Sequence, residues 1–407
     1  MQAEADNVIV NVENHDVSYF LKERSAVVGE KRFWRDLNGA GKKPRRNEEK
    51  MNWEKNVRVT EPYVAGEQPK GGGVIKLNTN ECPYPPAPGV RAVLEQMQQN
   101  YEKLRLYPDM HAEKLVNALA AYYHVRPSQI FVGVGSDDVL AMSFMTFFNG
   151  EKPVLFPDIT YSFYDVWADV FRIPYKTCPL DENFRLRKED YLQPNGGIVI
   201  PNPNAPTGVF EEIGVLEEIV AANPGSVVII DEAYVDFGGE SILPLVEKYE
   251  NLMVVQTFSK SRAMAGVRIG FAIAGEKIIN YLKDVKFSFN SYTMNLPSIE
   301  MGMAAVLDDG YFRETVGNII RTREWTKKEF TRLGFVFTDS KSNFLFAAHP
   351  KVPAGELFAA LKENNILVRH WNKPRIENYL RITIGTDDEM SELVSFLEKY
   401  LKEREND

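Results

Sequence analysis

The stretch Val227-Val228-Ile229-Ile230-Asp231-Glu232-Ala233-Tyr234 decides how this chain is read. Four β-branched apolar residues run without a polar interruption, the pattern of a strand covered on both faces rather than one with a wet side. The run ends in a carboxylate, which is costly to bury without a partner. A protonated ring nitrogen of a bound ligand would be one such partner. The alternative is that Asp231 caps the segment that follows. Tyr234, three residues on, could reach the same ligand.

Working outward, similar short runs lie at Ile130–Gly133, Pro153–Phe156, Gly197–Pro201, Met253–Thr257 and Arg268–Ala274. Helix-like segments alternate with them. One is Ala112 to His124, with Leu115, Leu119 and Tyr122 at helical spacing. This alternation predicts an α/β fold, a mostly parallel sheet covered by helices and joined by right-handed crossovers. After about Lys286 the grammar changes. Helices over Leu296–Leu307 and Tyr311–Leu333 precede strands at Phe335–Thr338 and Phe344–Ala347. A helix near Ala354–Asn364, strands at Ile366–Arg369 and Tyr379–Ile384, and a helix from Asp387 complete a smaller α+β domain. The predicted division is residues 1–50 as a disordered extension, 51–85 as an arm packing on the body, 86–287 as the large domain and 288–407 as the small one.

Composition sets the limits. The 407 residues are 44% hydrophobic and 26% charged, inside the globular range and enough for a sizeable core. With 48 Lys+Arg against 57 Asp+Glu the net charge is −9, which argues against nucleic acid or anionic membrane as a partner. Cys82 and Cys178 have no metal-ligand spacing, so neither a disulfide scaffold nor a cysteine zinc site is expected. The mainly apolar stretch from Val139 to Phe148 is far shorter than the roughly 20 residues that span a bilayer. The first residues are acidic and lack an apolar run, so no secretory signal is read and a cytoplasmic location is expected. Lys42-Lys43-Pro44-Arg45-Arg46 is read as part of a solvated tail rather than a nucleic-acid arm.

Three further groups sit at predicted strand ends, where ligands bind in such sheets. Gly133-Val134-Gly135-Ser136-Asp137-Asp138 follows a strand and opens a helix, which suits a phosphate at the helix N-terminus. A dinucleotide site is the rival reading, but the third glycine of that fingerprint is missing. Pro201-Asn202-Pro203-Asn204-Ala205-Pro206-Thr207-Gly208 is a rigid loop able to aim an amide at a ligand oxygen. Val254-Val255-Gln256-Thr257-Phe258-Ser259-Lys260-Ser261 carries a lysine just past an apolar strand, where partial desolvation favours the neutral nucleophile. Ser259 and, further on, Arg268 offer groups suited to a phosphate. Together the four groups match the needs of pyridoxal 5′-phosphate: a lysine for its aldehyde, a carboxylate for its ring nitrogen, donors to its phenolic oxygen and a phosphate cradle.

On these residues the chain resembles the fold-type I pyridoxal-phosphate-dependent aminotransferases, and among them the histidinol-phosphate aminotransferase family. Further motifs carry the resemblance: Glu61-Pro62-Tyr63, Asn80-Glu81, Leu106-Tyr107-Pro108-Asp109, Thr160-Tyr161, Gly266-Val267-Arg268, Ser342-Asn343-Phe344 and Leu380-Arg381-Ile382-Thr383. The resemblance implies that Lys260 forms the Schiff base and shuttles a proton, that Asp231 keeps the ring nitrogen protonated, and that Tyr234 bonds the phenolic oxygen. It implies that Tyr161 stacks on the ring, and that Ser136, Asp137, Ser259 and Arg268 hold the phosphate. Tyr107 is expected to reach that phosphate from a neighbouring subunit, making a homodimer the active unit. Arg381, with Tyr63, Asn343 and Arg369, is similar to the substrate-anion binders. One departure stands out. The family's amide donor directly before Pro-Thr-Gly is Ala205 here, so Asn204 or Asn202 is expected to take its role. The implied reaction is ping-pong transfer between L-histidinol phosphate and 2-oxoglutarate, giving imidazole acetol phosphate and L-glutamate, a step of histidine biosynthesis. A threonine-phosphate decarboxylase or an aromatic aminotransferase shares nearly every cofactor residue. A non-enzymatic, cofactor-binding regulator has only Lys42–Arg46 in its favour.

Overall fold

The structure, a computed structural model, describes residues 53–63, 66–69 and 72–406. The expected extension over residues 1–50 lies outside them. Residues up to Arg58 form one unit and those from Val59 onward another. Of the first, Trp53–Arg58 is described, with a single 3-10 turn at Glu54–Asn56.

The larger unit opens with β1 (Ile75–Lys76), α1 (Pro88–Gln99) and α2 (Glu113–Tyr123). Then come β2 (Ile130–Gly133), α3 (Ser136–Phe147), β3 (Val154–Pro157), α4 (Tyr164–Phe171), β4 (Tyr175–Cys178), β5 (Gly197–Pro201) and α5 (Ile213–Ala222). Next are β6 (Val228–Asp231), β7 (Leu252–Thr257), β8 (Gly270–Ala274), α6 (Glu276–Phe289), α7 (Leu296–Leu307) and α8 (Asp309–Arg332). The chain ends with β9 (Val336–Phe337), β10 (Phe344–Ala348), α9 (Ala354–Glu363), β11 (Ile366–Leu367), β12 (Arg369–His370), β13 (Leu380–Thr383) and α10 (Asp387–Asn406). Boundaries read from the sequence lie within a few residues of these. The strand β4 was not read: Tyr-Lys-Thr-Cys has no apolar run, because three of its four residues are exposed on an edge strand.

Seven strands make the main sheet, in the order β2-β8-β7-β6-β5-β3-β4. Pairings from β4 through β3, β5 and β6 to β7 are parallel. Strand β8 is antiparallel to both its neighbours, β7 and β2, so it alone runs against the others. β6 lies at the centre and is buried throughout. Its residues alternate between two apolar layers. Ile229 joins Phe144, Phe156, Tyr164 and Met253 on one face, while Val228 and Ile230 join Leu216, Ile219 and Val254 on the other. Each such fully buried side chain contributes roughly 1.5–3 kcal/mol, which is why a central strand here carries no polar alternation.

The later elements build a four-stranded antiparallel sheet, β12-β13-β10-β9, with its own core around Ile319, Phe330, Leu345, Leu380 and Ile382. The early strand β1 pairs in parallel with β11, so the first residues of the regular chain join the elements formed last.

The reversed strand β8 matters for the site. Gly270, its first residue, pairs with both Thr257 at the end of β7 and Gly133 at the end of β2. Residues just before β8 therefore reach the same sheet edge as residues just after β2, β6 and β7. A side chain at Gly270 would not fit, since a Cβ there would lie 2.2 Å from the Ser136 nitrogen and 2.3 Å from the Gly135 carbonyl carbon. Both contacts are backbone and cannot swing aside. Gly270→Ala is therefore expected to cost roughly 1–3 kcal/mol in a urea melt. Gly266→Ala, with nothing within 4 Å of its would-be Cβ, serves as the near-neutral comparison.

Candidate active site

The strand ends converge on an inner cavity of about 160 Å³, lined by Ser136, Asp137, Tyr161, Asp231, Tyr234, Thr257, Ser259, Lys260 and Arg268 among others. At its floor Asp231 is 4% exposed. Its carboxylate accepts from the Tyr164 hydroxyl at 2.8 Å and from the Ala233 amide at 3.2 Å. Burial pushes its pKa up from 3.8 to about 6 despite these bonds. Nearby Lys260 donates from Nζ to the Thr79 carbonyl at 3.2 Å, with Nζ 5.8 Å from the centre of the Tyr234 ring.

The opposite end is built for an anion. Gly135 carries φ +85°, and no side chain caps the N-terminus of α3, which leaves first-turn amides for a ligand. Arg268 packs against Gly135 so closely that a Cβ there would lie 2.4 Å from Nη2. Its guanidinium donates to Asp137 Oδ2 at 3.2 Å and to Ser259 Oγ at 3.4 Å. Tyr161 donates to the other Asp137 oxygen at 2.7 Å. Burial, then the Asp137 charge, hold the Tyr161 hydroxyl well above its ordinary pKa, so it stays a neutral donor.

A second, outer cavity of about 480 Å³ shares Thr79, Tyr161, Ala205, Tyr234 and Lys260 with the inner one. Tyr63, Arg369, Trp371 and Arg381 also line it. Tyr63 stacks on Phe163 with ring centres 4.3 Å apart. The guanidinium carbons of Arg369 and Arg381 lie 5.4 Å and 5.2 Å from the Trp371 ring centre. Arg381 donates from Nη2 to the Asn78 carbonyl at 2.8 Å, while its buried Nε has no partner. Burial lowers its pKa from the usual arginine value.

Four expected residues do not line either cavity. Asn204 spends its amide on the Ile159 carbonyl after β3 and on Thr207 Oγ1 in its own loop, both at 3.0 Å. Asn202 likewise closes a pair of bonds with the Glu211 backbone. The expected amide donor is thus corrected: the residue of this loop that lines both cavities is Ala205, which has no side-chain amide. Asn343 is fully buried and donates to the Asn80 carbonyl at 3.0 Å, so it stands behind the site as a brace, not at the substrate. Tyr107 is 83% exposed and tilts against Tyr292 on the surface of this chain. Conversely, Thr257, Tyr164, Thr79 and Trp371 belong to the site and were missed. Only Thr257 carried a signal, its place at a strand end beside Ser259.

Comparison with known proteins fits this geometry. The sequence model of the class I and II aminotransferases matches residues 72–397, and the chain belongs to that family. Its relatives narrow the class. A histidinol-phosphate aminotransferase of Lactococcus lactis subsp. cremoris (strain MG1363) is 53% identical over 355 residues, covering 87% of this chain and 99% of that protein. The enzyme of the same name from Acinetobacter baumannii (strain SDF) is 49% identical, covering 85% and 96%. Among solved structures, histidinol-phosphate aminotransferase from Sinorhizobium meliloti in complex with pyridoxal-5′-phosphate is similar in fold, with a TM-score of 0.74 and 20% identity over 81% of this chain and 91% of that one. L-threonine-O-3-phosphate decarboxylase from Porphyromonas gingivalis has a TM-score of 0.68, also at 20% identity, over 81% and 100%. Among the described residues no helix is long and apolar enough to cross a membrane, and no cluster of metal-ligating side chains occurs.

The buried Asp231 gives the ligand-free protein a definite pH dependence. An acid whose folded pKa is raised contributes full stability below its unfolded value, here 3.8, and loses it as pH rises through about 6. Asp231→Asn removes that loss. In ligand-free protein the variant is expected to gain on the order of 2–3 kcal/mol over the parent between about pH 4 and pH 8. Thermal melts at both ends of the window measure it, and an equal difference at both would contradict the reading of Asp231.

Proposed function

We propose that this chain is a histidinol-phosphate aminotransferase, moving an amino group between L-histidinol phosphate and 2-oxoglutarate in the cytoplasm as a homodimer. The observation that carries the reading is the pair of connected cavities. The inner one holds a lysine, a buried carboxylate and an anion cradle. The outer one holds two guanidinium groups around Trp371. The 53% identity to the Lactococcus lactis enzyme supports this substrate over threonine phosphate or a plain aromatic amino acid.

The inner cavity suits pyridoxal phosphate by the chemistry of its donors. When bound, the cofactor supplies an aldehyde for an amine and a ring that draws electrons from the substrate Cα. Asp231 Oδ holds a proton on the ring nitrogen, and that cation relieves the cost of burying its charge. Ser259 and Arg268, with the α3 amides at Ser136 and Asp137, hold the phosphate. Tyr161 covers the ring and Tyr234 donates to its phenolic oxygen. Lys260 Nζ would hold the aldehyde, and its free amine would carry the proton between the substrate Cα and the cofactor carbon that bore the aldehyde. Arg381 and Arg369 bind the anion at the far end of each substrate, with Tyr63 beside them. Exposed Tyr101, Leu104, Leu106, Tyr107 and Tyr292 form a surface suited to a second copy, from which Tyr107 would reach the neighbouring phosphate cradle.

Purified protein is expected to be yellow, and borohydride should fix the cofactor to the peptide containing Lys260. It should transaminate histidinol phosphate in preference to threonine phosphate or phenylalanine, and Lys260→Ala should abolish turnover. Preference for phenylalanine would favour an aromatic aminotransferase instead. Arg381→Ala should raise KM for both histidinol phosphate and glutamate, by about 10-fold or more, with cofactor still bound. If only the glutamate half-reaction suffers, Arg369 rather than Arg381 holds the substrate phosphate.

A further inference from the structure

Tyr234 is the donor proposed for the cofactor's phenolic oxygen, and its hydroxyl has an acceptor's role on the protein side. Asn80 Nδ2 donates to Tyr234 Oη at 3.0 Å. Asn80 is 1% exposed, and every polar group it carries is engaged. Its backbone N–H donates to Thr383 Oγ1 at 3.0 Å, and the Thr383 hydroxyl donates back to Asn80 Oδ1 at 3.0 Å. Its carbonyl accepts from Asn343 Nδ2. Thr383 therefore fixes which end of the amide faces Tyr234: the oxygen is held by the threonine and the NH2 is turned to the phenol. A phenol that accepts from an amide keeps its own proton for another acceptor, and accepting makes it a stronger donor. Tyr234 lines both cavities, so that proton is available to the ligand, while Ala205 on the same walls has no polar side-chain group to offer.

We propose that Asn80, locked by Thr383, is a positioning residue that aims and strengthens the Tyr234 hydroxyl toward the cofactor's phenolic oxygen. The lock ties β13 and the loop before β10 to the electronics of the cofactor. The inference rests on the pyridoxal phosphate reading above.

Spectrophotometric pH titration of the lysine-bound cofactor in the holoenzyme, without substrate, tests it. A hydrogen bond to the phenolic oxygen stabilises its anion and disfavours a proton on the neighbouring nitrogen, so a weaker bond should raise the pKa of that nitrogen. Asn80→Gly is the variant of choice. Glycine tolerates the φ of +57° found at this position and keeps both backbone bonds. The charged and titratable groups around the Lys260 nitrogen, namely Glu81, Asp137, Tyr161, Asp231, Arg268 and Arg381, are unchanged by it. The expected result is a rise of roughly half a pH unit or more, with a smaller rise in Thr383→Val. In a Tyr234→Phe background, Asn80→Gly should add nothing. An unmoved titration in Asn80→Gly, or an equal rise with and without the Tyr234 hydroxyl, overturns the proposal. Absence of any lysine-bound chromophore in the parent protein would instead overturn the cofactor reading.

Discussion

A carboxylate at the end of a strand buried on both faces is the constraint around which this molecule is arranged. Asp231 follows three strand residues with no access to solvent, and the sheet delivers it to the cavity floor. Two hydrogen bonds, from Tyr164 and the Ala233 amide, reduce the cost of its charge without removing it. What remains is a group that gains from a nearby proton-bearing nitrogen. Tyr164 is held in turn by the aromatic layer on that face of the sheet, against Phe144 and Phe156. The apolar core thus does more than stabilise the fold: it fixes the direction in which the acid can look.

The far end of the cavity depends on a different kind of interaction. Arg268 and Asp137 are each about two-fifths exposed, 41% and 40% by side chain. An ion pair in such a setting is worth about 0–1 kcal/mol, so it is readily exchanged for a stronger anion. Geometry, not that pair, keeps Arg268 in place. The reversed strand β8 starts beside the ends of β2 and β7, and glycines at positions 135 and 270 let backbone and guanidinium approach closely. One end of the cavity is therefore a committed, buried negative group and the other a loosely paired positive one. That polarity suits a ligand carrying a cationic ring nitrogen and a phosphate.

The central strands were legible because burial on both faces writes itself as unbroken Val/Ile runs, and the residues at their ends were legible as exceptions to those runs. β4 was not, since an exposed edge strand has no such mark. Asn204 looked like a ligand-facing amide because side-chain amides suit cofactor oxygens, and the family resemblance put Asn343 at the substrate anion. The competing demand was satisfaction of buried backbone: one ties its loop to the carbonyl of Ile159, and the other braces the carbonyl of Asn80. Tyr164 and Trp371 left no trace in local pattern. Their roles come from contacts across the fold, which no local run records.

In the proposed reading the outer cavity serves two anions with one site. Arg381 is flanked by the rings of Phe344 and Trp371, and its buried Nε lacks a partner. A buried donor left unsatisfied costs about 1–3 kcal/mol, and an anion that reaches it recovers that cost. Such a site rejects uncharged ligands more strongly than it separates a carboxylate from a phosphate, because either can satisfy a planar fork. Discrimination between the two must then come from reach. Arg369, the cross-strand partner of Arg381, also lies against Trp371, so a substrate whose anion lies farther from its amine has a second guanidinium to engage. In the proposed reading, with the amine held at Lys260, the two arginines against one indole set the reach open to each anion.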